Sequence, residues 1–585
     1  MNTSDPNNQL FNGHEGSSPE WSVAQLERMA NDLFHAHPGA SGDDVVALAH
    51  HQIDAQALQH PKALACSKKI AGWINEKTAS SAEVTKLPFD IDGLDTTSLY
   101  SVKQGESFNL NASAFNDYQY KSDNLGFTVP TGETEFDQLL KQLNTVSLTV
   151  PQLTTVSDSY YFINETQIPS IQNQGNVTFD VNAVRRDFPI LQERVNGRPL
   201  IWFDNAATTQ KPQVVIDRLS YFYQHENSNI HRAAHELAAR ATDAYEGARE
   251  ITARFLNASS SDEIIFVRGA TEAINLVAKS WGIQNIGKDD EIVITWLEHH
   301  ANIVPWQQLC AVTGAHLRVA PVDDQGQIIL DEFNKLLNSR TRLVAVTQVS
   351  NALGTVTPVD KMIEMAHRYG AKVLVDGAQS VSHLRVDVQK LNCDWFVFSG
   401  HKIFGPTGIG ALYGKGELLN STQPWQGGGN MIEDVTFEHT RYHLAPARFE
   451  AGTGNIADAV GLGAALEYVE KLGIENINRY EHELLAYATK EISSISGLRL
   501  IGTATEKASV LSFVLEGFST EDVGAALNRE GIAVRSGHHC AQPILRRFGV
   551  ESTVRPSLAF YNTYAEVDVL ISTLRSLKRG SQKGI

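Results

Sequence analysis

The stretch Phe396-Val-Phe-Ser399-Gly400-His401-Lys402-Ile-Phe-Gly405-Pro406-Thr-Gly408-Ile-Gly410 reads as a short apolar strand that runs straight into Ser-Gly-His-Lys, followed by a glycine-rich turn. A second strand, Gly410-Ala-Leu-Tyr413, comes next. A surface lysine at a strand end is the ordinary alternative for Lys402, but the carboxyl end of a core strand is an odd place for a solvated charge. Upstream, Lys372-Val-Leu-Val375-Asp376-Gly-Ala-Gln379-Ser380 repeats the pattern, with a buried strand ending in an aspartate and a glutamine three residues later. Working outward, apolar strands are expected at 264–267, 291–295, 342–348, 372–376, 395–398 and 410–413, with helices between and around them, among them Asp243 to Glu250. That alternation predicts a doubly wound α/β domain, and open α/β sheets place their ligands at strand carboxyl ends.

A lysine, an aspartate and a glutamine at neighbouring strand ends suit pyridoxal 5'-phosphate. Lys402 would bond the aldehyde, Asp376 would keep the ring nitrogen protonated, and Gln379 would hydrogen-bond the ring's phenolic oxygen. A second chemical feature lies near the C-terminus, in Arg535-Ser-Gly-His-His-Cys540-Ala-Gln-Pro. Glycine and proline mark an irregular, movable loop, and Arg535, His538 and His539 supply positive charge that favours the nucleophilic thiolate. A buried structural cysteine and a zinc ligand are the alternatives for Cys540. Adjacent His-His-Cys residues are too close to share one metal comfortably, and no paired cysteines stand at zinc spacing, so no metal site is expected.

From about Phe179 to the C-terminus the chain resembles the class II, SufS-like cysteine desulfurases, fold-type I pyridoxal-phosphate enzymes of the class V aminotransferase group. The resemblance rests on a set of motifs: Asp204-Asn-Ala-Ala-Thr208-Thr209, Asn229-Ile-His231-Arg232, Arg268-Gly-Ala270-Thr271-Glu272, Glu298-His299-His300-Ala-Asn302, Ser350-Asn351-Ala-Leu-Gly354, Arg448-Phe-Glu-Ala-Gly452-Thr453 and Arg555-Pro-Ser-Leu-Ala-Phe-Tyr561-Asn562, with the Asp376, Lys402 and Cys540 runs. It implies a large mixed-sheet domain and a smaller α+β C-terminal domain. Lys402, Cys540 and His299 are then the catalytic residues, with His299 stacked on the cofactor ring and moving protons; only the family match separates it from His300. The helix opened by Arg268-Gly-Ala-Thr-Glu and expected over Ala273 to Lys279 offers free N–H groups to a phosphate. Thr271, Ser399 and His401 are the side chains assigned there; the family's second threonine is Ala270 here, which leaves backbone contacts. Arg555 and Asn351 are expected to hold the substrate carboxylate, and Arg535 to tune or gate the cysteine loop. His231 and Arg232 enter the site region across a homodimer interface. Thr453 reaches the phosphate from the partner subunit, although Gly454 follows where the family more often has proline.

The activity implied is conversion of L-cysteine to L-alanine, with the sulfur left on Cys540 as a persulfide for an acceptor protein. A selenocysteine lyase would use the same residues. An assembly-binding scaffold with secondary desulfurase activity is a reading from another class, and Lys402, Asp376 and Cys540 argue against it.

The chain of 585 residues exceeds one ordinary domain, and its net charge of −18 disfavours nucleic acid and anionic membranes as partners. Four scattered cysteines suit a reducing cytosol, and neither a secretory signal nor a membrane span is expected. Organisation changes near residue 178. Residues 179–450 are expected to form the large domain, with its N-terminal segment joining the small one, and 451–585 the small domain. Within 1–178, Ser18 and Pro19 open a helix with an apolar stripe at Leu26, Met29, Ala30 and Leu33, and a second short helix spans Gly42 to Ile53. From about 78 to 175 the sequence is polar and broken, and predicts a mostly disordered arm. The segment Leu26 to Phe34 followed by Pro38-Gly39 resembles the loading extensions of cysteine desulfurases packaged as encapsulin cargo. That resemblance implies an encapsulin shell as partner and a cytoplasmic location inside such a nanocompartment.

Overall fold

The computed structural model describes residues 179–230 and 235–582. The N-terminal helices, the disordered arm, Cys66 and the His231–Arg232 pair expected from the sequence lie outside the described residues. Seven strands form the central sheet: β1 Ile264–Val267, β2 Glu291–Thr295, β3 His316–Ala320, β4 Thr341–Thr347, β5 Lys372–Asp376, β6 Trp395–Ser399 and β7 Gly410–Gly414. Their spatial order is β1-β7-β6-β5-β4-β2-β3. Strand β7 runs antiparallel to both neighbours and the remaining pairs are parallel, so the sheet is mixed.

Alternation along each strand divides the core between the two faces. Ile292 and Ile294 join one apolar cluster and Val293 the other; Leu343 and Ala345 oppose Val344 and Val346, and Trp395 and Val397 oppose Phe396 and Phe398. Burial on both faces explains why these strands read as continuous apolar runs. Strand β3 escaped the sequence reading because it is an edge strand whose His316, Arg318 and Val319 are exposed.

Helices cover the sheet. α1 spans Gln213–His225 and α2 Glu236–Leu256. The latter runs well beyond the expected Asp243 to Glu250, because His235 Nδ1 accepts the Ala238 N–H at its start and Asn257, at φ 55°, stops it in the left-handed region. The helix expected from Ala273 begins earlier, as α3 Ala270–Val277, and its last turn widens into a π-helical stretch at Ala278–Gly282. A fourth helix, α4 Ile456–Leu472, packs against α1 and α2.

A smaller antiparallel sheet contains β8 Leu498–Ile501, β9 Ser512–Leu515, β10 Arg535–Gly537 and β11 Thr553–Arg555, in the order β8-β9-β11-β10. Strand β9 starts only at Ser512, since Val510 bridges Ser557 instead. The run from Arg535 is not loop throughout: Arg535, Ser536 and Gly537 pair with Arg555, Val554 and Thr553. Upstream, Ile201–Trp202 pairs in parallel with Ile532–Ala533, and Asp204 bridges Ser557. A separate hairpin pairs Ile432–Val435 with Thr440–Tyr442.

Candidate active site

A cavity of about 260 Å³ opens at the carboxyl ends of β4, β5 and β6 and is lined by Lys402, Asp376, Gln379, His299, Arg555 and Cys540. At one end lies the N-terminus of α3. Gly269 precedes it at φ 152°, a backbone that L side chains rarely adopt, and Ser399 Oγ accepts the Ala270 N–H at 2.9 Å. Ser399 therefore caps the helix and keeps its own proton to donate. Gly410 makes this approach possible: a Cβ there would fall 2.4 Å from the Phe398 carbonyl oxygen and 2.7 Å from Gly269 Cα. Ala270, exposed Thr271 and His401 line the same cavity.

Lys402 ends a 3-10 turn, Gly400–Lys402, at the tip of β6. Residues upstream clamp that turn. The His401 carbonyl accepts the Thr209 N–H at 2.9 Å and the Thr208 hydroxyl at 3.1 Å, and Thr209 Oγ1 accepts the Phe404 N–H at 2.7 Å. Burial pulls the Lys402 ammonium down to about 8, reinforced by Arg555 and opposed by Asp376. Burial likewise lowers His401 to about 4, with Lys402 and Lys211 adding to it. Asp376 is raised by burial, while the Ala378 N–H at 2.9 Å and Lys402 favour its anion. A cation beside this carboxylate would hold it ionised. Gln379 donates from Nε2 to the Ala206 carbonyl at 2.6 Å, which leaves one amide hydrogen and its own carbonyl for a ligand.

His299 lines the cavity; His300 turns away, its ring stacked at 6.0 Å on His538. The structure thus separates the two histidines by place. His299 Nδ1 accepts the Ala301 N–H at 3.0 Å, so the neutral ring carries its proton on Nε2. Burial, then Lys402, His300 and Arg555, push His299 down to about 3. Beneath it Glu298 is fully buried, accepting from Thr295 Oγ1 at 2.7 Å and Asn302 Nδ2 at 2.6 Å, and burial raises its carboxyl to about 8.

On the opposite wall, Arg555 is buried and donates to the Asn351 carbonyl at 2.8 Å and to Asp204 Oδ1 at 3.3 Å; Arg535 reaches Asp204 Oδ2 at 3.0 Å. Asn351 Nδ2 donates to the His539 carbonyl at 2.7 Å. Arg555 Nε and Asn351 Oδ1 remain buried with no hydrogen-bond partner among the described residues. Cys540 is exposed, and it and His539 both sit at positive φ, 53° and 54°. His539 corrects the sequence reading. It is buried, its Nε2 lies 2.8 Å from Thr553 Oγ1, and burial together with Arg555 pushes it down to about 2. It is neutral and supplies no positive charge to the thiol.

Thr453 is not brought to this cavity: its Oγ1 lies 3.5 Å from Asn229 Oδ1 on another surface. His231 and Arg232 lie outside the described residues. Sequence reasoning missed Asp204, which engages both arginines, and Thr347 at the end of β4. For Asp204 a signal existed, since an acid directly after the apolar Ile201-Trp-Phe203 mirrors Asp376 after its strand.

The donor set fits pyridoxal phosphate. It offers one lysine at reduced basicity, one buried acid on the adjacent strand, a helix start for a phosphate, and an orphaned Arg555 Nε for a carboxylate. A mixed sheet carrying that lysine and acid at neighbouring strand ends is the fold-type I pyridoxal-phosphate architecture. The chain belongs to the class-V aminotransferase family, which it matches over residues 201–570. It is 73% identical over 439 residues to a cysteine desulfurase of Synechococcus elongatus, a match that covers 74% of this chain and 68% of that protein. To a cysteine desulfurase of Klebsiella pneumoniae (strain 342) it is 52% identical over 404 residues, covering 69% of this chain and 99% of the other. The apo structure of a cysteine desulfurase from Thermococcus onnurineus NA1 superposes with a TM-score of 0.66 at 37% identity, over 70% of this chain and all of that one.

Proposed function

We propose that this chain, a pyridoxal-phosphate-dependent cysteine desulfurase, converts L-cysteine to L-alanine and takes the sulfur onto Cys540 as a persulfide. The observation that carries the reading is the convergence of Lys402, Asp376, Arg555 and Cys540 on one cavity. When bound, the cofactor draws electrons from the substrate α-carbon and so weakens the bonds around it.

The chain's own residues do the rest. Lys402 would anchor the cofactor and exchange a proton at Nζ. Asp376 would keep a positive charge on the ring nitrogen, Gln379 would hydrogen-bond the phenolic oxygen, and Thr271, Ser399, His401 and the first N–H groups of α3 would hold the phosphate. Arg555 and Asn351 orient the substrate carboxylate. His299 would cover the ring and move a proton at Nε2. The Cys540 thiolate attacks the substrate sulfur: an S–S bond forms, the carbon–sulfur bond breaks, and its electron pair leaves with the carbon fragment, which takes up a proton to become alanine. Arg535, tied to Asp204 beside the loop, governs its approach. Mass spectrometry after a short pulse of cysteine tests this, with the persulfide expected on Cys540; a persulfide on Cys66, Cys310 or Cys393 in its place overturns it.

The enzyme is further read as SufS-like and homodimeric, with His231, Arg232 and Thr453 completing the partner's site, 179–450 and 451–585 as its two catalytic domains, and a sulfur-acceptor protein downstream. Among the described residues no helix is long and apolar enough to cross a membrane. Residues 1–178 are assigned to loading into an encapsulin shell in the cytoplasm, on the resemblance around Leu26 to Phe34. An unrelated soluble protein fused to residues 1–178 should enter a co-expressed shell, and the enzyme begun at Asn176 should stay outside it yet turn over cysteine. A fusion that stays outside removes the cargo assignment.

A further inference from the structure

Cys540 is held by its backbone. Its carbonyl accepts the His300 N–H at 2.8 Å and its own N–H donates to His538 Nδ1 at 3.1 Å. The rings of His300 and His538 lie face to face, centroids 6.0 Å apart and planes 27° from parallel, and the His300 ring is hydrogen-bonded to Gln542 on the far side of the cysteine. Two residues at positive φ gather these contacts into one turn.

We propose that His300 and His538 form a latch that positions Cys540, fastening the peptide groups on both sides of the thiol while leaving its sulfur free to react. The inference rests on Cys540 as the sulfur-accepting residue. Both histidines are positioning residues. His538 Nδ1 accepts the Cys540 N–H only while that nitrogen is unprotonated, because an imidazolium donates at both nitrogens.

Burial, followed by His538, lowers His300 below the ordinary imidazole value. A neutral His300 ring faces His538 without like-charge repulsion.

Hydrogen–deuterium exchange of the segment 535–547 in the full-length holoenzyme tests the latch, read as protection factors. His538→Phe keeps a ring but removes the acceptor. It should lose about fivefold of the wild-type protection, the worth of one neutral hydrogen bond, with kcat for cysteine reduced by a similar factor and KM and the cofactor's visible absorption unchanged. His538→Asn supplies an oxygen that reaches the N–H two residues on. It should recover most of what His538→Phe loses. A His538→Asn enzyme as weakly protected as His538→Phe overturns the latch. So does a His538→Phe enzyme with unaltered protection or unaltered kcat. Because protection is read without turnover, failure of the latch is distinguishable from failure of Cys540 as sulfur acceptor, which the persulfide mass reports separately.

Discussion

Arg555 and Asn351 are locked to one another: the guanidinium donates to the Asn351 carbonyl at 2.8 Å, and the Asn351 side chain passes the connection on to the His539 carbonyl at 2.7 Å. The proposed carboxylate clamp and the cysteine loop are thus neighbours in one hydrogen-bonded chain. Replacement of Arg555 by lysine keeps a charge but loses the planar fork, so KM for cysteine should rise by about ten- to a hundredfold, the worth of one charge-assisted contact. Steady-state kinetics check this, and a KM within twofold of wild type would remove Arg555 from the clamp.

Lys402 offers a pH test. Burial lowers its ammonium from the ordinary lysine value to about 8. Below that pH the amine is protonated and cannot bond an aldehyde; above it the amine is free. After the cofactor is stripped, the rate at which added pyridoxal phosphate restores visible absorption should climb up to about pH 8 and then level off. A rate still climbing at about pH 10, where an unperturbed lysine titrates, would show that burial does not tune it.

Glu298 should leave a mark on stability. Its carboxyl is raised to about 8 by burial, so the fold favours the protonated form. That contribution is fully present below the unfolded value near 4.3 and is lost as pH rises through the folded value of about 8. Glu298→Gln mimics the protonated acid without titrating, so its Tm should be closest to wild type near pH 5 and rise above it towards about pH 8. A difference that does not change with pH would show that the ionisation of Glu298 is not linked to folding.

Gly410 should be intolerant. A methyl group there meets the Phe398 carbonyl and the Gly269 backbone, neither of which is a flexible side-chain end. Gly410→Ala should force β7 away from β1 and β6 and weaken cofactor affinity by about tenfold or more, as overpacking of a dense core does. Equilibrium titration of the stripped enzyme with pyridoxal phosphate measures it; unaltered affinity would show that the strand ends relax freely.

The strand-end residues were legible because a doubly buried parallel strand is a continuous apolar run, and a charge at its end stands out; Asp376 and Lys402 both announced themselves this way. Contacts between distant segments were not legible. Asp204 follows a strand of only two residues, Ile201–Trp202, and meets its arginines more than 330 positions later. His538 and His539 are sequence neighbours, yet a positive φ at His539 sends one ring outward to His300 and buries the other against Thr553. Side-chain direction in such a turn depends on backbone torsions that composition does not encode. Strand β3 was lost for the opposite reason, since its exposed face has no apolar period to read.

The position of β7 has a consequence for the order of events during synthesis. The first strand of the sheet pairs with neither β5 nor β6; β7, last of the seven to leave the ribosome, lies between it and β6, with Gly410 paired to Val267 on one side and Ser399 on the other. Until residues 410–414 have emerged, the strand that lies between β1 and β6 is missing, and α3 meets the end of β6 through the Ala270 N–H to Ser399 Oγ bond without that support. Domains generally fold as units as the chain is made. A nascent chain stalled ahead of Gly410 should therefore hold pyridoxal phosphate more weakly than the finished one, because the two walls of its phosphate site lack the strand that braces them.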